Sequence, residues 1–79
     1  MKYILFTYYD RVSGVYSAPL PGVNRASAIR DMISRVRDSV SANDMELYEC
    51  GTFDIMTGEV TGCKPVFVCR YEEYAKQEV

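Results

Sequence analysis

The sequence predicts an α+β fold: two antiparallel β-hairpins flanking one long helix, in a small antiparallel sheet with the helix on one face. Three observations predict it. One turn pattern occurs twice, as Tyr9-Asp10-Arg11-Val12-Ser13-Gly14-Val15-Tyr16-Ser17 and as Phe53-Asp54-Ile55-Met56-Thr57-Gly58-Glu59-Val60-Thr61. Both copies read aromatic-Asp-x-x-(Ser/Thr)-Gly-x-apolar-(Ser/Thr), and each closes a run with strand character. Between the copies, Ala26, Ile29, Met32, Ile33, Val36 and Val40 recur at three and four residues, the stripe of an amphipathic helix.

The expected element order is β-β-α-β-β-β. Residues 2–9 read as a central strand, with Ile4, Phe6 and Tyr8 on one face and Tyr3, Leu5 and Tyr9 on the other. One face must meet the helix; the other is left for a dimer surface, a ligand platform or the tail. The first turn uses Asp10, whose carboxylate can accept backbone N–H groups, and Gly14, which can take the left-handed conformation. Residues 15–18 return as a short strand that Pro19 and Pro21 end. Asn24 caps a helix expected to run to about Ser41, with Ile29, Ile33, Val36 and Val40 buried. Residues 45–53 form the next strand, with Gly51 marking a bulge. The second turn uses Asp54 and Gly58. A short return strand follows at 59–61, a break at 62–65, and a last strand at 66–71.

Seventy-nine residues make one domain, 1–79, with residues 72–79 as a frayed tail. A chain this small buries only about 60% of its unfolded surface. With 48% apolar residues and seven Tyr, it is expected to finish its core by pairing with a copy of itself. The net charge is -2, so the global field does not draw a polyanion. Charge is segregated, however. Arg25, Arg30, Arg35 and Arg37 cluster on the helix, while acids gather at 44–59 and 72–78.

The three Cys show no paired spacing and the chain has no His, which argues against a metal site. No catalytic set assembles, and the glycines are isolated rather than grouped into a phosphate-cradling loop. The chain reads as a non-enzyme without cofactor or metal. No signal peptide or membrane-length apolar run is visible, so an intracellular, reduced protein is expected.

The aromatic strands suggest a binding function. Tyr3, Tyr8, Tyr9 and Tyr16 are candidate platforms for unpaired bases, and Tyr48 and Tyr71 share that chemistry. Arg25, Arg30, Arg35 and Arg37 are candidate phosphate contacts for a short single strand lying between a helix edge and the sheet. The alternative is a protein-interaction module that works through an acidic face of Glu46, Glu49 and Glu59.

Several of these residues carry a resemblance. Tyr8-Tyr9-Asp10-x-x-Ser13-Gly14, Pro19 and Pro21, Asn24 with Ala28 and Arg30, Leu47-Tyr48-Glu49-Cys50-Gly51-Thr52-Phe53-Asp54-x-x-Thr57-Gly58-Glu59-Val60 and Lys64-Pro65-Val66 resemble the small nonstructural protein of gokushoviruses. Those are microvirus-group bacteriophages with circular single-stranded DNA genomes. The resemblance implies a non-capsid protein in the cytoplasm of the bacterial host. It implies a part in phage genome replication or the switch to packaging, with single-stranded DNA binding. The implied partners are single-stranded DNA and viral or host replication and assembly proteins, beside the homodimer and the lack of a membrane span that size and composition already predict. It transfers no catalytic residue. Cys50 departs from a Leu more usual in that run, and Glu72, Glu73 and Glu78 in the tail would repel DNA.

Overall fold

The computed structural model describes residues 1–75. Its elements are β1 (Lys2–Asp10), β2 (Val15–Tyr16), β3 (Leu20–Gly22), α1 (Arg25–Val36), a 3₁₀ turn (Ala42–Asp44), β4 (Met45–Asp54), β5 (Val60–Arg70) and α2 (Glu72–Ala75). The strands form one antiparallel sheet in the order β2-β1-β4-β5, and β3 pairs with β1 alongside β2.

The expected α+β class, two hairpins flanking one long helix, is not what forms. The chain is mostly sheet, curled into an antiparallel half-barrel, and α1 is only 12 residues long. The helix starts as its sequence asks. Asn24 caps it by accepting from the Ser27 backbone N–H at 2.9 Å, and Ser27 Oγ faces the Asn24 N–H in a capping box. It stops at Val36 rather than near Ser41 because serines compete for the backbone. The Ser39 N–H donates to the Val36 carbonyl, Ser39 Oγ accepts from the Ser41 N–H, and the two hydroxyls bond each other. Val40, expected in the buried stripe, is fully exposed.

The sheet gains what the helix loses. Leu20–Gly22 pairs with Ile4, Leu5 and Phe6 despite Pro21, because β3 lies on the sheet edge, where a missing N–H is tolerated. Residues 62–65 do not break the chain into two strands. β5 runs unbroken for 11 residues, absorbing the irregularity as register shifts against β4. Further shifts between Leu5 and Phe6 add to the local twist. Gly51 sits at one of them, where a Cβ would strike the Thr61 carbonyl and where φ is +154°.

The core lies between α1 and one sheet face. Ala28, Met32 and Val36, spaced by four, are buried with Phe6, Leu47, Ala42, Cys69 and Tyr71. Ile29 and Ile33 are only partly buried at its margin. Both repeated turns share one geometry. Asp10 Oδ1 accepts from the Val12 N–H at 2.9 Å and Asp54 Oδ1 from the Met56 N–H at 2.9 Å. Gly14 and Gly58 have φ of 74° and 75°. The bond from Val12 also holds the Asp10 carboxyl below its ordinary pKa. Of the tail 72–79, residues 72–75 form the short α2, and 76–79 lie outside the described residues. Among the described residues no helix is long and apolar enough to cross a membrane.

Candidate nucleic-acid interface

Side chains alternate along a strand, so the neighbours of core residues Phe6, Leu47 and Cys69 emerge on the sheet face that α1 leaves open. Four strands each contribute one ring there. Tyr16 of β2 packs against Tyr9 of β1, its partner in register, with ring centroids 4.6 Å apart and planes tilted by 44°. Tyr48 of β4 meets Tyr9 at 6.0 Å and Tyr16 at 5.5 Å, both edge to face, and Phe67 of β5 meets Tyr48 at 5.6 Å. These are favourable aromatic geometries. The result is a continuous aromatic row crossing the sheet, with Tyr16 and Phe67 at its ends 47% and 46% exposed.

A charge cluster built around one buried carboxylate borders the row. Tyr9, Glu46 and Arg70 lie in register across three strands. Glu46 is only 6% exposed. Its carboxylate accepts from the Tyr48 hydroxyl at 2.9 Å and pairs with Arg70 at 3.2 Å and Arg11 at 4.0 Å. Arg11 and Arg70 also reach Glu72, at 3.8 and 3.7 Å, and Arg11 approaches Asp44. A buried carboxylate needs such partners. Burial, with the bond to Glu46, pushes the Tyr48 hydroxyl up to about 12. Tyr48 therefore stays a neutral donor, and Glu46 holds the two arginines beside the rings. Farther along the same face, Tyr3, Phe53 and Val60 face one another across β1, β4 and β5. Between the two patches the strands carry Gly51 and Gly62 in register, which leaves a low saddle.

The residues singled out from the sequence divide between the two sides. Tyr9 and Tyr16 are in the row, and Tyr3 is on the open face beyond the saddle. Tyr8 points to the helix side, into a cleft it shares with Leu20, Asp31 and Arg35, and burial raises its pKa. Arg25 is tied to Glu49 at 2.7 Å, a bond that raises its own pKa. Arg30 and Arg35 on α1 and Arg37 just past its end are exposed, and among the described residues none of them makes an ion pair. The helix arginines and the tyrosine row thus do not form one site. Tyr71 is buried in the core. The acidic face does not assemble either: Glu46 is buried on the open side, Glu49 pairs with Arg25, and Glu59 sits at the second turn.

Phe67, Arg11 and Arg70 were missed by sequence reasoning. Phe67 lies two residues before the buried Cys69, which should place both on one face. The register shift at Val68 turns Phe67 to the other. Among the described residues no cluster of side chains could hold a metal ion.

The family model described as Phage ORF5 protein matches residues 3–74. No curated protein and no solved structure matches the chain.

Proposed function

This chain belongs to the phage ORF5 protein family, and on that premise we propose that it binds single-stranded DNA without catalysing a reaction. The observation that carries this reading is the row Tyr16-Tyr9-Tyr48-Phe67, a line of ring faces and edges on an open sheet. Unpaired bases stack on such rings with a gain of about 1–3 kcal/mol each and little regard for sequence. Arg11 and Arg70 stand at the border of the row, where phosphates of a stacked strand would pass. The role is in phage genome replication or the switch to packaging, in the cytoplasm of the bacterial host; this rests on the resemblance to the gokushovirus nonstructural proteins.

Stacking rather than charge dominates this site, because Arg11 and Arg70 already share Glu46 and Glu72. Two phosphate contacts give a salt slope near -1.4 for a single strand, so a fourfold rise in salt weakens binding by roughly sevenfold. A site on the four helix arginines would give about twice that slope. Fluorescence anisotropy with labelled single-stranded and duplex oligonucleotides at low and moderate salt tests the reading. The single strand is expected to bind more tightly. Replacing both Arg30 and Arg37 with Ala should leave affinity within about twofold, since α1 covers the other face. A large loss in that variant would move the site to the helix. No binding to single strands at tens of micromolar protein would favour the interaction module.

A further inference from the structure

The three cysteines are free and sit in different settings. Cys69 is buried in the core, Cys50 is half-buried and Cys63 is exposed. Cys50 and Cys63 show no paired spacing in the sequence, yet the fold brings them together. Starting from the second turn, β4 and β5 pair Phe53 with Val60, Thr52 with Thr61, and Gly51 with Gly62. One step on, Cys50 stands across from Cys63. The ladder breaks at that step and resumes with Glu49 opposite Val66, so residues 63–65 face Cys50 alone. Ladder pairs thus bracket the break and hold the two strands together through it. The backbones are close at its glycine end, where a Cβ on Gly51 would lie 3.1 Å from the Gly62 Cα. Opposed Cα atoms in an antiparallel ladder are about 4.5–5.5 Å apart, and their side chains leave on one face. A disulfide needs Cα atoms about 4.4–6.8 Å apart. The extra residues of the break give Cys63 room to settle into that geometry. Burial pushes the Cys50 thiol up, and Cys63 adds to the shift, so the two groups sense each other.

We propose that Cys50 and Cys63 are a redox pair that closes the break in the β4–β5 ladder with an intramolecular disulfide, formed by exchange with a low-molecular-weight disulfide such as oxidised glutathione. Exposure sets the order of events. The Cys63 thiolate attacks one sulfur of oxidised glutathione, forms the mixed disulfide and expels one glutathione thiolate. Cys50 then gives up its proton and its sulfur attacks the Cys63 sulfur, expelling the second glutathione. Two protein thiols are oxidised, one glutathione disulfide is reduced, and the two protons end on the glutathiones released. Cys69, sealed in the core, takes no part. The bond lies beside the Gly51–Gly62 saddle that separates the two patches of the open face. The proposal does not depend on DNA binding.

The test incubates the full chain with excess oxidised glutathione and follows free thiols and intact mass. The wild type should fall from three thiols to one, with no glutathione attached. Cys50→Ala should instead accumulate one glutathione on Cys63, because the thiol that resolves the mixed disulfide is gone. Cys63→Ala should keep its remaining thiols over the same period, and Cys69→Ala should fall from two to none. Neither Cys50 nor Cys63 belongs to the core, so the variants at these positions fold. Amide hydrogen exchange supplies a second readout: residues 62–66 should exchange more slowly in the oxidised wild type than in the reduced one. A wild type that retains the same glutathione adduct as Cys50→Ala overturns the proposal. So does a covalent dimer on a non-reducing gel, or a loss of thiols in Cys63→Ala as fast as in the wild type.

Discussion

On the helix-covered face of the sheet, Phe6 and Leu47 are sealed among Met32, Val36 and Cys69. On the open face, one residue along the same strands, Thr7 and Tyr48 meet no second layer. Thr7 is buried there by a local bond, its hydroxyl donating to the Ser17 carbonyl at 2.7 Å. Tyr48 is half-buried by neighbouring rings and capped by Glu46. The covered face is held by area removed from water, which is non-directional. The open face is held by ring contacts and a charge cluster that leave its outer surface available. Apolar content does not separate the two faces; the kind of contact does.

Substitutions should sharpen that contrast. Leu47→Ala, at 0% exposure, should cost about 2–5 kcal/mol in chemical denaturation, since it leaves a cavity under α1. A cost near zero would mean that the helix does not seal this face. Phe67→Ala and Tyr16→Ala should each reduce affinity for single-stranded DNA by about fivefold or more, the lower end of one stacked base. Their effect on stability should be smaller than that of Leu47→Ala, because both rings are half exposed. Variants that lose stability but keep full affinity would make the row structural.

The repeated turns offer a second, smaller comparison. The first leads into the two-residue β2, the second into the 11-residue β5. Gly14→Ala and Gly58→Ala should nonetheless destabilise by similar amounts, about 1 kcal/mol each, because both residues have the same positive φ. Unequal costs in paired denaturation curves would show that strand length feeds back on the turn. The smallest effect is a pH dependence. With its folded pKa raised to about 12, Tyr48 favours the folded state as a neutral hydroxyl. That contribution is complete below the unfolded value of 10.0 and is lost as pH rises from there toward 12. Thermal melts across this range should fall less steeply for Tyr48→Phe than for the wild type.

The sequence by itself determined the features set by neighbours within about four residues. Asp10 and Asp54 with Gly14 and Gly58 specify two turns, Asn24 with Ser27 specifies the start of α1, and the alternation of residues 2–9 specifies a strand. Each depends on bonds the chain makes with itself over a few positions. The helix end was legible only in part, because Ser39 and Ser41 decide it through side-chain bonds that an apolar period overlooks. Tertiary structure decided the rest. Leu20–Gly22 became a strand because β1 offered an edge. Residues 60–70 stayed one strand because β4 ran alongside and took up the register shifts. The two faces of β1 were equally rich in apolar and aromatic groups. Only the docking of Ala28, Met32 and Val36 assigned Phe6 and Tyr8 to the core side and left Tyr9 open. That choice depends on contacts between residues tens of positions apart, which no local spacing encodes.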